Sequence, residues 1–242
     1  MTAHFISDLH LDERKPGINR ILLKYLKQDA ARADEIYLLG DIFEYWLGDD
    51  VSLSRYTEVC DALRSLCDRG IRLYFMRGNR DFLVDAEFSR TTGCKLLNDP
   101  QVIELNGEKA LLSHGDMFCT DDVEHQKFRE LVSQEAVRNR LLSLPAAQRE
   151  QMALQIRGMS PAQQGAGAKS MEIMDVNQQS VERSMREYDV HLLIHGHTHR
   201  CAMHEFQLDG QMARRIVLSD WHEDRGNLLI ADADGLRFQH LN

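Results

Sequence analysis

Five short apolar runs, each ending beside polar side chains that can bind metal ions, constrain the fold of this chain more than any other feature. The polar residues that follow these runs are Asp8 and His10, then Asp41, Asn79, His114, and finally His197 with His199. Short apolar runs that alternate with helix-like stretches predict an α/β fold. Because ligands of α/β sheets collect at the carboxyl ends of the strands, we expect these side chains to meet at one edge.

The elements expected from the sequence follow this alternation. Strands are predicted over residues 4–7, 35–39, 72–76, 109–113 and 190–194, and helices over about 18–32 and 55–69. An Asn-Gly pair at 106–107 lies between two β-like runs and predicts a hairpin. The chain from Cys201 onward predicts a β-meander, with turns at the Asp-Gly pairs 209–210 and 234–235.

The stretch 121–177 differs from its surroundings. It contains helix-like segments that are interrupted at Pro145 and by a Gly-, Ala- and Gln-rich segment at 158–169. Residues 126–160 hold six Lys or Arg against three Asp or Glu, although the net charge of the chain is −9. We interpret 121–177 as a helical cap inserted into a core formed by 1–120 and 178–242.

The overall composition excludes several classes of function. A net charge of −9 disfavours binding to nucleic acid, which requires a broad basic face. Five widely spaced cysteines without a C-x-x-C pair predict no disulfide framework and favour a reducing compartment. The sequence shows neither a signal peptide nor an apolar run of the ~18 residues that a membrane-spanning helix needs. We therefore expect a protein that does not cross a membrane, although it could lie on one.

The seven polar residues suit a pair of metal ions better than a single ion. Asp, Asn and His donors without thiolate favour Mn²⁺, Mg²⁺, Fe²⁺ or Zn²⁺. Seven donors exceed what one tetrahedral ion uses, whereas two ions that share a carboxylate can use them all. Each pattern alone has an ordinary explanation, such as a capping aspartate or a turn after a strand. Their occurrence in order, each after a strand, favours metal binding.

These motifs, Asp-x-His, Gly-Asp, Gly-Asn-Arg-Asp, His-Gly-Asp and Gly-His-Thr-His, resemble those of the calcineurin-like metallophosphoesterase superfamily. The resemblance implies a two-sheet sandwich flanked by helices, with a dinuclear metal site at one edge. It implies that Asp8, His10 and His199 hold one ion. It further implies that Asn79, His114 and His197 hold the other ion, and that Asp41 bridges the two.

Longer strings, including 39–50, 78–83, 119–122 and 194–200, are similar to the bacterial family of UDP-2,3-diacylglucosamine hydrolases. This likeness spans nearly the whole chain, including the cap. It implies an enzyme with two Mn²⁺ ions that cleaves the diphosphate of UDP-2,3-diacylglucosamine in lipid A biosynthesis. The products would be UMP and 2,3-diacylglucosamine 1-phosphate (lipid X). It also implies a peripheral protein on the cytoplasmic face of the inner membrane, which we expect to be a monomer.

The same resemblance implies which residues contact the substrate. Carried over position by position, they are Asn79, Arg80, Asp122, Arg157, Ser160, Gln164, Lys169 and His197. Catalytic roles are implied for Arg80, Asp41 and His197. The sequence departs from the family pattern at His125, where a tyrosine is usual. It also departs at 161–168, a segment about two residues longer that lacks the expected asparagine, for which Gln164 or Ala166 lies nearby.

Several alternatives stay open at this stage. The same core could serve another dinuclear-metal phosphodiesterase or a nucleotide-sugar pyrophosphatase, or it could be a non-catalytic scaffold. Arg80 could instead form a salt bridge to Asp81 or Asp116. Apolar residues among arginines in the cap, Arg149 included, could form a trough for acyl chains with the arginines facing phosphates, or could pack against the core. We expect Trp46 to have a packing role, and Asp116 and Asp220 either to orient histidine ligands or to cap turns.

Overall fold

A computed structural model describes residues 1–158 and 175–242, with the backbone alone for 156–158. The predictions for Arg157, Ser160, Gln164 and Lys169 concern side chains outside the described residues. The strands are β1 Ala3–Ile6, β2 Glu35–Leu39, β3 Arg72–Met76, β4 Lys95–Leu97, β5 Gln101–Leu105, β6 Glu108–Ser113, β7 Leu192–His195, β8 Ala202–Leu208, β9 Gln211–Val217, β10 Gly226–Asp232 and β11 Gly235–Leu241. The helices are α1 Pro16–Gln28, α2 Asp49–Arg55, α3 Thr57–Asp68, α4 Ala86–Thr92, α5 Val123–Ser133, α6 Glu135–Leu142, α7 Ala146–Gly158 and α8 Gln178–Glu187.

Within the described ranges the strands form two mixed sheets. One sheet has the order β11-β10-β1-β2-β3-β4, and the other has the order β5-β6-β7-β9-β8. Strands β1, β2, β3 and β4 are parallel to one another, as are β6, β7 and β9 in the second sheet. Each sheet therefore directs the carboxyl ends of its parallel strands toward a single edge, as the sequence predicts.

Apolar side chains join the two sheets and cover their outer faces. Phe5 and Leu39 of the first sheet belong to the same buried cluster as Leu112 and Ile194 of the second. A second cluster packs α1 and α3 against the outer face of the first sheet. A third packs α8, through Val181 and its neighbours, against the outer face of the second sheet. The fold is thus an α/β sandwich flanked by helices, which confirms the predicted class.

The predicted helix over 55–69 is confirmed as α3, and a separate short helix, α2, precedes it. Helix α2 ends at Arg55, and α3 begins at Thr57. Between them, Tyr56 leaves the helical conformation, with φ −111° and ψ 30°. Its buried hydroxyl donates a hydrogen bond to the carbonyl of Leu11 at 2.9 Å. This contact anchors the break to the loop that follows β1.

The turns predicted at 209–210 and 234–235 are confirmed, but the predicted single β-meander after Cys201 is wrong, because the tail divides between the sheets. Strands β8 and β9 form a hairpin that joins the second sheet beside β7. Strands β10 and β11 form another hairpin that joins the first sheet beside β1. The connection between β9 and β10 therefore crosses from one sheet to the other. It carries Asp220 and the buried Trp221, whose backbone amide donates to the carbonyl of Asp8 at 3.2 Å.

Helices α5, α6 and α7 lie in the stretch for which a cap is predicted. Helix α7 is fastened to α2 by Arg149, which is buried and hydrogen-bonds Asp50 at 2.8 Å. Arg55 of α2 pairs with Glu150 of α7, also at 2.8 Å. Arg149 therefore pairs with a carboxylate of the protein itself. This ion pair explains its burial without a phosphate ligand. The division into core and cap remains a prediction.

Candidate metal centre

The side chains predicted to bind metal come together at the shared edge of the two sheets. Asp8, His10 and His199 form one group and Asp41, His114 and His197 another, and within each group the potential ligand atoms lie within 4.8 Å of one another. The amide oxygen of Asn79 joins the second group, at 3.0 Å from His114 Nε2 and 3.1 Å from His197 Nδ1. All seven predicted residues are thus neighbours.

Asp41 lies between the two groups. Its Oδ2 is 3.7 Å from Nε2 of His114 in one group and 3.9 Å from Nε2 of His10 in the other. Its other carboxylate oxygen accepts a hydrogen bond from the backbone amide of Arg80 at 2.8 Å. One oxygen is therefore held by the backbone while the other faces both groups, which is the position that a bridging carboxylate requires.

The backbone at this edge adopts a conformation that residues other than glycine rarely enter. Positive φ values of 50° to 68° occur at five of the predicted ligands, namely Asp8, His10, Asp41, His197 and His199. Such backbone costs of order 1–3 kcal/mol per residue and persists where surrounding contacts enforce it. The contacts here include hydrogen bonds from the Asp8 amide to the Gly40 carbonyl (3.1 Å) and from the His10 amide to the Asp41 carbonyl (3.0 Å).

Asp81 ties two of the loops together. Its fully buried carboxylate accepts hydrogen bonds from the backbone amides of Ile42, at 2.8 Å, and Gly78, at 2.7 Å. The loop after β2, which carries Asp41, is thereby fixed to the loop after β3, which carries Asn79. No sequence pattern predicts this role of Asp81, because the spacing around a turn aspartate does not reveal partners that are distant along the chain.

The donors face one another in a way that a cation would satisfy. Nδ1 of His114 is 3.0 Å from the carbonyl oxygen of Leu39, and in the neutral ring it therefore carries the proton. Nε2 of His114 lies 3.0 Å from the oxygen of Asn79, so either a proton or a cation is needed between these two atoms. Among the described residues, the buried Oδ1 of Asp8 has no hydrogen-bond partner. Such facing atoms and an unsatisfied carboxylate oxygen fit bound divalent ions.

Burial and charge shift the pKa values of these groups strongly. Burial raises the pKa of Asp41 to about 7 and lowers that of His10 to about 3. Burial also lowers the pKa of His114, but the carboxylates of Asp41, Asp116 and Asp8 outweigh it and raise the value to about 10. Crowded negative charge that pulls protons onto a buried imidazole is typical of a functional site, and a cation would replace those protons.

Two carboxylates lie behind the histidines. Oε2 of Glu44 is 3.5 Å from Nδ1 of His10, and Oδ2 of Asp220 is 3.6 Å from Nδ1 of His199. Carboxylates in this position orient the rings of metal-binding histidines. Asp220 was anticipated from the sequence and Glu44 was not. Asp116 instead approaches Arg129, at 3.2 Å, and His125, at 3.6 Å.

The described residues predicted to contact substrate surround the same edge. Arg80 forms no ion pair with Asp81 or Asp116 in the described parts of the chain, so neither alternative salt bridge is present. Asp122 is buried at the beginning of α5 and accepts a hydrogen bond from the amide of His125 at 3.0 Å. The ring of His125 lies 5.0 Å from that of His197.

An apolar cavity opens beside the centre. Together with the space open to solvent at its mouth it measures about 470 Å³, and its apolar walls are formed by Trp46, Leu47, Leu83, Leu141 and Met152. Asn79 and Arg80 line the same cavity. Trp46 is almost fully buried and its ring centroid lies 4.5 Å from that of Phe43, which agrees with the expected packing role. Leu141 and Met152 come from α6 and α7, so the helices of the predicted cap form part of this wall.

Comparison with known proteins identifies the class of this chain. The family profile described as calcineurin-like phosphoesterase matches residues 1–201. This chain belongs to the calcineurin-like phosphoesterase family, and it is a metal-dependent hydrolase. In the described part of the chain, no helix is both long enough and apolar enough to span a membrane.

Curated relatives narrow the likeness further. A protein of Aeromonas hydrophila named UDP-2,3-diacylglucosamine hydrolase is 47% identical over 95% of this chain and 94% of its own. Proteins with the same name from Chromohalobacter salexigens and Azotobacter vinelandii are 49% and 46% identical, over 93% and 97% of this chain and 91% and 96% of their own. A solved archaeal phosphodiesterase aligns over 100% of both chains with a TM-score of 0.47 and 12% identity, a distance that adds nothing to the family assignment.

Replacing Gly78 with alanine tests how tightly the centre is built. A β-carbon at this position would overlap the carboxylate of Asp41 and its backbone amide. We expect Gly78→Ala to weaken Mn²⁺ binding by roughly 10-fold or more, in the range seen when the support of metal ligands is disturbed. The Kd of Mn²⁺ is measured by titration calorimetry. Gly70→Ala is the control for backbone strain away from the centre, because Gly70 has φ 90° and its added methyl meets open space. Equal metal affinity in both variants would contradict the described packing.

Proposed function

We propose that this protein hydrolyses the diphosphate bond of UDP-2,3-diacylglucosamine. Water attacks the α-phosphorus, and the products are UMP and 2,3-diacylglucosamine 1-phosphate (lipid X), an intermediate of lipid A biosynthesis. The names of the relatives support this substrate, and they match nearly the full length of this chain. The competing proposal is another phosphodiesterase or nucleotide-sugar pyrophosphatase with the same pair of metal ions.

The apolar cavity is the observation that carries the proposal. It shares Asn79 and Arg80 with the candidate metal centre, so a substrate that fills it has its phosphates near the predicted ligands. A water-soluble nucleotide gains nothing from walls of Trp46, Leu141 and Met152. An acyl chain buried there gains about 25 cal/mol for each Å² of apolar surface removed from water. The cavity therefore favours a lipid-linked substrate over a soluble one.

The metal assignment in this proposal follows the two groups of side chains. Asp8, His10 and His199 would hold one ion, Asn79, His114 and His197 would hold the second, and Asp41 would bridge them. Because all these donors are oxygen or nitrogen, several divalent ions fit, and Mn²⁺ is proposed from the family resemblance. When bound, such a pair stabilises the charge on the attacking and leaving oxygens of a phosphoryl displacement.

The remaining roles belong to side chains of the chain itself. The positive charge of Arg80 acts on Asp41, His10 and Glu44, which indicates that its guanidinium lies close to the centre. In our proposal Arg80 binds the non-bridging phosphate oxygens, for which its planar group is suited. Asp41, Arg80 and His197 form the catalytic set, and Asn79 and Asp122 contact the substrate. The proposed contacts of Arg157, Ser160, Gln164 and Lys169 complete this set.

Peripheral contact with a membrane belongs to the same proposal. Val123 and Leu131 of α5 are 58% and 51% exposed, and Leu154 of α7 is 50% exposed. Exposed apolar side chains among basic residues are typical of helices that lie at a lipid surface. We propose that a monomer lies on the cytoplasmic face of the inner membrane, where the lipid substrate is available.

An isotope experiment tests the reaction. In ¹⁸O water we expect UDP-2,3-diacylglucosamine to give UMP that carries the label, because the α-phosphorus receives the water oxygen. The products are identified by mass spectrometry, with deacylated UDP-glucosamine as the comparison substrate. Label in the lipid product would contradict attack at the α-phosphorus. Equally fast turnover of the deacylated compound would favour the competing proposal of a soluble substrate.

A charge placed in the apolar cavity tests the acyl site. We expect Leu141→Glu to raise KM for the diacylated substrate by about 10-fold or more, because an acyl chain cannot solvate a buried carboxylate. Turnover of a water-soluble chromogenic phosphodiester should change little. Met212→Glu is the matched control, since Met212 is exposed, has no part in the proposed membrane contact and does not line the cavity. If Leu141→Glu affected both substrates equally, the acyl site would lie elsewhere.

A further inference from the structure

We propose that a cleft lined by Arg77, Arg129 and Arg138, here called the arginine cleft, binds the nucleotide half of the substrate as uridine 5′-phosphate. The inference rests on the proposed function, because it assigns the part of that substrate which the apolar cavity does not suit. Three features of the cleft support nucleotide binding: its position, the charges of its side chains and the chemistry of its walls.

The arginine cleft lies on the other side of a shared wall. It is an open cleft of about 960 Å³, and Asn79 and Phe82 line both it and the apolar cavity. A substrate whose diphosphate lies at Asn79 can therefore extend into an apolar site in one direction and a polar site in the other. UDP-2,3-diacylglucosamine has this two-ended character, with acyl chains at one end and a nucleoside at the other.

The charges of the cleft leave a guanidinium without a carboxylate partner. Arg129 approaches Asp116 at 3.2 Å and Asp99 at 3.9 Å, and Arg77 approaches Asp85 at 3.5 Å. Arg138, by contrast, forms no ion pair with any residue that the structure describes; its Nη1 donates to the carbonyl of Val132 at 3.2 Å. Its positive charge also repels that of Arg77. An anionic ligand would relieve this repulsion.

The walls of the cleft offer what a nucleoside needs besides charge. Uracil presents carbonyl oxygens that accept hydrogen bonds from arginine, and ribose hydroxyls can both donate and accept. The amide of Asn98, at the end of β4, supplies a donor and an acceptor. Phe82 and Leu97 supply apolar surface for a ring face, and Phe82 is held edge-on by Phe128 at a centroid distance of 5.9 Å.

The phosphate of an anionic phospholipid shares part of this chemistry. A lipid head group, however, has no ring that could pack against Phe82 and Leu97. It also has no need of a site that opens beside the predicted metal ligand Asn79. The cleft therefore favours the nucleotide, and the experiment separates the two sources of phosphate.

Binding of UMP to the metal-loaded full chain tests the proposal by titration calorimetry. We expect Arg138→Gln to raise the Kd of UMP about 10-fold, which corresponds to about 1.4 kcal/mol. The Kd of inorganic phosphate should change less than that of UMP, because phosphate lacks the uridine that contacts Phe82, Leu97 and Asn98. Arg140→Gln is the matched control, since Arg140 is an exposed residue of the same helix and does not line the cleft. This control should bind UMP as the wild type does.

Because Arg138 also donates to the carbonyl of Val132 near the end of α5, a second variant tests the cleft without changing that contact. Asn98→Trp fills the cleft without removing an arginine, and it should weaken UMP binding as well. The proposal is overturned if UMP binds equally well to the wild type and to both variants, or if the wild type does not bind UMP. It is also overturned if Arg138→Gln instead weakens binding to vesicles that contain phosphatidylglycerol and leaves UMP binding unchanged.

The outcome is distinguishable from a failure of the proposed function. A wild type that hydrolyses UDP-2,3-diacylglucosamine, with variants that bind UMP normally, refutes the arginine cleft alone. A wild type that binds UMP through Arg138 but does not hydrolyse the lipid nucleotide refutes the proposed function and leaves the cleft as a nucleotide site.

Discussion

Buried polar groups that lack partners at the edge of the two sheets determine what this protein can bind. The carboxylates of Asp8 and Asp41 are buried, and Oδ1 of Asp8 has no hydrogen-bond partner among the described residues. Leaving such groups unpaired in a low-dielectric interior costs several kcal/mol, and the left-handed backbone at five of the predicted ligands adds to that cost. Divalent ions would satisfy all these groups together, so the site is built for a ligand that the polypeptide does not provide.

The fold explains how one edge serves a substrate with two different ends. Parallel strands in both sheets bring their carboxyl ends to the same place, and the loops that follow them are joined through Asp81. Asn79 and Phe82 then form a wall with the apolar cavity on one side and the arginine cleft on the other. The helices α6 and α7 complete the apolar side. The centre thus lies where a lipid portion and a nucleotide portion would meet.

Much of this arrangement could be predicted from the sequence because each predicted ligand follows an apolar strand, and strand ends are determined by local pattern. The features that the sequence does not predict have a different origin. Glu44 and Asp81 act on residues that are distant along the chain or on backbone amides, and no local spacing marks such contacts. The sequence predicts one meander for the tail, because the alternation of apolar and polar residues in β8 to β11 reveals strands but not the sheet that each strand joins. Arg149 was linked to phosphates, whereas its partner Asp50 lies on another helix.

We propose that seven side chains hold two divalent ions. Anomalous diffraction from a crystal grown with Mn²⁺ tests this assignment. We expect two anomalous peaks, one among Asp8, His10 and His199 and the other among Asn79, His114 and His197, with Asp41 touching both. The separation expected for paired catalytic ions is about 3.5–4 Å. An edge without anomalous density, or manganese bound elsewhere on the chain, would contradict it.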